Sequence, residues 1–155
     1  MAIKSRPVNI DEISKQIISE LQVDGRKSYT DIGKCVGLSE AAVRQRIQRL
    51  TDQGVLQVVA VTDPLQLGFA RQAMIGVRVS GNAITIAEQL GKIPQVTYVV
   101  LVAGDFDILL EVVCQNDDEL MRIIHETIRG YEGVLSTESF VYLKLAKQQY
   151  NWGTR

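Results

Sequence analysis

The chain has 155 residues, 46% of them hydrophobic and 23% charged, with only three prolines; this composition excludes a disordered or collagen-like polypeptide. A formal net charge of −1 supplies no global basic field for nucleic acid, and no apolar run nears the roughly 18 residues of a membrane span. The charge is uneven, however: residues 1–62 hold nine Lys/Arg against seven Asp/Glu, and residues 63–155 hold eight against eleven. That balance permits DNA binding by the first part without demanding it. No apolar stretch follows Lys4 and Arg6 within Met1–Asn9, so a secretory leader is not expected. Cys35 and Cys114 each sit inside an apolar pattern, and both are expected as buried thiols in a reducing cytoplasm.

Three helices are predicted in the first 50 residues. Ile10, Ile13, Ile17, Ile18 and Leu21 describe one apolar stripe. Ser28-Tyr29-Thr30-Asp31 has capping-box spacing and opens a short second helix that stops at Gly37. Ser39 is the N-cap of a third, with Glu40 in its first turn, Val43, Ile47 and Leu50 buried, and Gly54 at its end. Two helices joined by a short glycine-containing turn, the second well capped and basic, form a helix-turn-helix pattern. The β-branched run Val55–Thr62 predicts a strand or small wing, broken by Asp63-Pro64.

The remainder alternates strand and helix. Ala73–Val79 alternates as a half-buried strand, and Asn82 caps a helix carrying Ala83, Ile86, Ala87 and Leu90. Val96–Ala103 and Asp107–Cys114 are strands about the turn Gly104-Asp105-Phe106. Asn116 and Glu119 cap a helix with Leu120, Ile123, Ile124 and Ile128 inward, and Val134–Ala146 reads as a long last strand. This βαββαβ order predicts a ferredoxin-like domain, giving an α+β chain overall. The expected division is 1–62 for a winged helix-turn-helix domain, 63–70 for a linker and 71–155 for the ferredoxin-like domain.

On the third helix, the side opposite Val43 and Ile47 carries Ala41, Arg44, Gln45, Gln48 and Arg49 and reads as free of acids. Arginine pairs with guanine and glutamine with adenine in the major groove, while the small Ala41 suits a thymine methyl. Arg46 lies nearer the core edge and suits a phosphate or an acidic neighbour. A merely solvated helix face is the alternative; the capped two-helix context favours double-stranded DNA. Ser39, at the helix start, and Arg46 join this candidate DNA-binding set.

These pieces resemble the leucine-responsive regulatory protein (Lrp/AsnC, feast/famine) family of prokaryotic transcription regulators. The resemblance runs from about Ile10 to Lys144. It rests on Ile10-Asp11-Glu12-Ile13, Ile17-Ile18, Glu20-Leu21-Gln22, Asp24-Gly25-Arg26, Val36-Gly37-Leu38-Ser39, Arg46-Ile47-Gln48-Arg49-Leu50, Gly54-Val55-Leu56, Ala103-Gly104-Asp105-Phe106-Asp107 and Gly133-Val134. It implies dimers built through the C-terminal domains, often octamers made of dimers, amino-acid effectors bound between subunits, and a cytoplasmic setting; to residues 71–155 it thereby adds effector binding and oligomerisation. Ser14 stands where the family usually has aspartate, which bears on helix packing. Val58-Val59 replaces the usual Gly-Tyr, which bears on the wing.

Gly104, Asp105, Phe106 and Asp107 match the family's effector loop. Glycine lets backbone N–H groups approach a carboxylate, and Asp105 or Asp107 can pair with an α-ammonium. Asp107, leading into a strand, ranks first. Thr137 and Ser139 match the family's effector-contacting strand; Tyr98 and Phe140 suit either the pocket or the core. An ordinary turn with Asp105 in solvent is the alternative. His125, the only histidine, reads as structural, and Asp117-Asp118-Glu119 as a helix first turn. No Cys/His cluster has metal-ligand spacing, no phosphate loop follows a strand and no nucleophile–base pair is visible, so no cofactor and no enzymatic step are expected. The rival readings are an amino-acid-binding regulatory subunit of an enzyme and a small enzyme on a ferredoxin-like fold.

Overall fold

A computed structural model describes residues 9–148; the stretch around Lys4 and Arg6 lies outside them. The chain divides into two compact units, one including the residues up to Val61 and the other spanning Thr62–Ala146.

The first unit is three capped helices. Helix α1, Glu12–Val23, starts at Asp11, whose carboxylate accepts from the Ser14 backbone N–H at 2.8 Å. Helix α2, Tyr29–Val36, starts at Ser28 and ends at Gly37, whose φ of +71° is a left-handed conformation glycine adopts without penalty. Helix α3, Glu40–Asp52, starts at Ser39, whose hydroxyl accepts from the Ala42 N–H at 3.3 Å. Ile17, Ile18, Leu21, Ile32, Val43, Ile47, Leu50 and Leu56 fill one core between them. The α2–α3 turn is tight because position 33 lacks a side chain. A Cβ on Gly33 would lie 2.5 Å from the Leu38 carbonyl oxygen.

Two expectations are corrected in this unit. Cys35 is exposed, because Val36 takes the stripe position one turn beyond Ile32 and Cys35 faces the Lys27 ammonium at 3.5 Å. Residues 55–62 form no strand, and Val58, Val59 and Val61 are exposed. β-propensity makes a strand only when a neighbouring backbone completes the ladder, and among the described residues none does so here.

In the second unit, strands β1 (Arg71–Val79), β2 (Val96–Leu101), β3 (Ile108–Cys114) and β4 (Val134–Val141) form one antiparallel sheet of order β2-β3-β1-β4. Helices α4 (Ala83–Leu90) and α5 (Asp117–Arg122) connect them, with Asn82 and Asn116 as side-chain caps. Ala73, Ile75, Val77, Ile108, Leu110 and Val112 pack with Leu90, Leu120, Ile123, Ile124 and Ile128 in a second core.

The opposite face of the sheet stays open. Its residues include Met74, Gly76 and Arg78 of β1, Leu109, Glu111 and Val113 of β3, Tyr98 and Val100 of β2, and Phe140 of β4, which the register pairs in rows. Glu111, half-buried in the middle of this face, accepts from the Tyr142 hydroxyl (3.0 Å), Gln72 (3.1 Å) and Thr97 (3.3 Å). Burial, reinforced by Glu111, pushes the Tyr142 hydroxyl up to about 12. Buried Cys114 is likewise raised, to about 11, by loss of water.

Two further differences from expectation appear. Strand β4 ends at Val141, because its partner β1 begins at Arg71 and offers no ladder beyond Gln72; Leu143 and Leu145 are exposed. Helix α5 continues into a π-turn over Ile123–Ile128, where the Arg129 N–H reaches the Ile124 carbonyl five residues back.

Candidate nucleic-acid interface and effector site

Helix α3 turns Val43, Ile47 and Leu50 inward, which leaves Ala41, Arg44, Gln45, Gln48 and Arg49 exposed along one open groove. That side is not free of acids, contrary to the sequence expectation. Gln48 donates to the Asp52 carboxylate at 2.8 Å, and Arg44 donates to Glu40 at 2.9 Å. Asp52 lies nine residues after Val43, half a turn out of phase with the core stripe, so its outward position was available from spacing alone. Ser39 is occupied as the cap.

Arg46 takes the second of its two expected roles, an acidic neighbour. Its guanidinium donates to Asp11 at 2.7 Å and to the Ser14 hydroxyl at 3.1 Å, tying α3 to the start of α1. The guanidinium, with the Ser14 hydroxyl and N–H, holds the Asp11 carboxyl well below the usual carboxylate range. Tyr29 was missed altogether: its ring lies under the Arg44 guanidinium, 5.1 Å from centroid to cation.

The turn between β2 and β3 presents Gly104 and Asp105 outward. Nothing lies within 4 Å of a Cβ placed on Gly104, so the turn is uncrowded on that side. Asp107 is already engaged. Its carboxylate accepts from the Val79 N–H at 2.8 Å while its own N–H donates to the Val77 carbonyl at 3.0 Å, so it pins the turn to β1. Phe106 sits over Gly76, where a Cβ would come within 2.7 Å of its ring. The Arg78 guanidinium lies 4.5 Å from the Phe106 centroid, and Phe140 meets the ring edge-on at 6.2 Å.

Thr137 and Ser139 lie across from Val77 and Ile75, hence on the helix-covered face. Arg129, at the end of the π-turn, donates to the Thr137 hydroxyl at 2.7 Å from that side and approaches the His125 ring at 3.3 Å. Phe106 and the Thr137–Ser139 pair therefore occupy opposite faces of the sheet. One chain does not bring the predicted effector residues together. Among the described residues no group of His, Cys, Asp and Glu could hold a metal ion, and no helix is long and apolar enough to cross a membrane.

The AsnC-type helix-turn-helix domain profile matches residues 10–51, and that of the Lrp/AsnC ligand binding domain matches residues 72–152. The chain belongs to the Lrp/AsnC family. It is similar to the HTH-type transcriptional regulator FL11 of Pyrococcus horikoshii, with 34% identity over 143 residues, 91% of this chain and 94% of the relative. FL11 of Pyrococcus furiosus is 33% identical over 141 residues, covering 90% and 93%. Among solved structures, a transcriptional regulator of Neisseria meningitidis in complex with L-Met is 25% identical, with a TM-score of 0.80 over 91% of this chain and 94% of that one. E. coli AsnC, at 21% identity, shares the fold with a TM-score of 0.81, covering 92% and 98%. As an Lrp/AsnC protein the chain is a DNA-binding transcription regulator with a ligand-binding domain, and the relatives it matches are named as transcriptional regulators.

Proposed function

We propose that this regulator reads duplex DNA with Arg44, Gln45, Gln48 and Arg49 of α3 and answers to an α-amino acid held between copies of its second unit. Residues 1–62 serve DNA and residues 71–155 serve effector and assembly, joined by 63–70, in a cytoplasmic setting. The observation that carries the effector half is the turn 104–107. Asp105 offers an exposed carboxylate to an α-ammonium, and the open backbone at Gly104 offers N–H groups to an α-carboxylate. The L-Met bound to the Neisseria relative is the chemistry such a pair would take. Because Thr137 and Ser139 face away from Phe106, a site using both sets draws the turn from one copy and the strand from another. That favours a homodimer and assemblies of dimers.

Asp105, rather than Asp107, is the proposed ammonium partner, since Asp107 already accepts from Val79. The coupling is reciprocal: an effector that changes DNA affinity by a given factor has its own affinity changed by DNA by that same factor. The test begins with thermal melting against each of the twenty L-amino acids, where a ligand at 100 times its Kd adds about 2.7 kcal/mol. DNA titration with and without the stabilising amino acid follows, for wild type and Asp105→Ala. The variant is expected to lose the effector response and keep effector-free DNA binding. A full response in Asp105→Ala refutes the ammonium assignment. Stabilisation by none of the twenty refutes the amino-acid reading itself.

A further inference from the structure

We infer that Tyr29, Thr30 and Glu40 form a clamp that aims Arg44 at one G·C base pair, so that three residues beyond the reading face determine DNA specificity. This rests on the reading of Arg44 as a side chain that meets a base edge. An arginine on a solvated helix samples many rotamers, and each one lost on binding weakens discrimination. Arg44 is held from two directions instead. Its Nη2 donates to Glu40 Oε1 at 2.9 Å, and its guanidinium lies over the Tyr29 ring at 5.1 Å. Glu40 is itself fixed, because its other oxygen, Oε2, accepts from the Thr30 hydroxyl at 2.8 Å. Thr30 and Arg44 pull the Glu40 carboxyl below its ordinary range, the hydroxyl first and the guanidinium second.

The geometry spans both helices of the motif. Tyr29 and Thr30 open α2 just after its Ser28 cap, and Glu40 and Arg44 lie in the first turns of α3, the end that meets base edges in such modules. With Nη2 committed to Glu40, the remaining N–H edge is free for the O6 and N7 acceptors of guanine. The Glu40 carboxylate beside it accepts from the amino group of the paired cytosine and disfavours the O4 acceptor of a thymine in that place, which narrows the choice to G·C. The plainer account makes Glu40 and Arg44 a surface pair four residues apart that only steadies α3. Such a pair needs neither Thr30 nor Tyr29, which stand on another helix.

The test uses the full chain and a duplex enriched by the wild type from a randomised pool. Affinity for that duplex relative to a scrambled one is measured at fixed salt. Thr30→Val and Tyr29→Leu are expected to lower the ratio about fivefold, with scrambled-duplex affinity unchanged. Glu40→Gln should lower it as well, while raising scrambled-duplex affinity through loss of a negative charge near phosphate. Thr30→Ser and Tyr29→Phe, which keep the hydroxyl and the ring, should restore the wild-type ratio. Thr30 and Glu40 are exposed, and a melting curve for each variant verifies the fold. Unchanged ratios in Thr30→Val and Tyr29→Leu, together with a fall in Arg44→Ala, overturn the clamp and leave the reading face standing. An unchanged ratio in Arg44→Ala as well overturns both.

Discussion

Arg46 illustrates how a basic residue on a reading helix can serve the fold. Sequence periodicity put it at the core edge, and the family departure at Ser14 pointed to helix packing; neither named the partner. The structure joins the two, since Arg46 donates to both Asp11 and Ser14. The depressed Asp11 carboxyl fixes the sign of a pH effect: its contribution is present above the unfolded carboxylate range near pH ~4 and is lost as pH falls through the lower folded value. The side chain is exposed, so the effect is modest. Arg46→Ala is expected to lower the melting temperature by a few degrees at neutral pH and to flatten acid sensitivity. Preference for the enriched duplex should stay as in wild type, because the residue faces α1. A melting curve at pH 7 and pH 3, with one competition assay, settles it; lost preference at unchanged stability would return Arg46 to the DNA.

At the scale of elements, glycine at position 76 is what lets Phe106 of the 104–107 turn close over the sheet. A methyl there would meet the Phe106 ring at 2.7–2.8 Å, and the ring is flanked by Arg78 and Phe140. Gly76→Ala is expected to cost about 1–3 kcal/mol, read as a fall in melting temperature, and to weaken any amino-acid stabilisation with it. An unchanged melting curve would mean the ring moves freely and the turn is not tied to β1 through it. The elements themselves were largely legible. Ser28, Ser39, Asn82 and Asn116 announced four helix starts through their capping chemistry, and all four side chains accept from backbone N–H groups. What failed to read was whatever depended on a partner backbone. Residues 55–62 have β-branched composition without a ladder, and β4 stops where β1 does. The opposite-face placement of Phe106 and Thr137 needed the register, which no single segment encodes.

At the scale of the molecule, the helices of the second unit leave the other face of their own sheet uncovered. Tyr98, Val100, Met74, Leu109, Val113 and Phe140 share the open sheet face, with Tyr98 at 52% and Phe140 at 45% exposure. A largely apolar face of this kind, set around the hydrogen-bonded Glu111, marks an interaction surface, and a second copy offers the same face in self-complementary form. Sedimentation at micromolar concentration is expected to show a dimer or a multiple of it. Leu109→Asp, which places a charge in the middle of the face without touching the core, should shift the mass towards monomer. A monomeric wild type, or a Leu109→Asp protein of unchanged mass, would put the contact elsewhere.

The π-turn after α5 has a consequence for chain length. A π-turn holds one residue more than an α-turn while leaving the flanking turns in phase, as a single-residue insertion absorbed locally would. Here the surplus falls where His125 and Glu126 face solvent, between inward Ile124 and inward Ile128. A chain lacking Glu126 would therefore continue as ordinary α-helix, with Leu120, Ile123, Ile124 and Ile128 still on one stripe and Arg129 still facing Thr137. Loss of a residue is thus better tolerated in this buried-faced helix than truncation of Ile128 to alanine, which removes about 2–5 kcal/mol of packing.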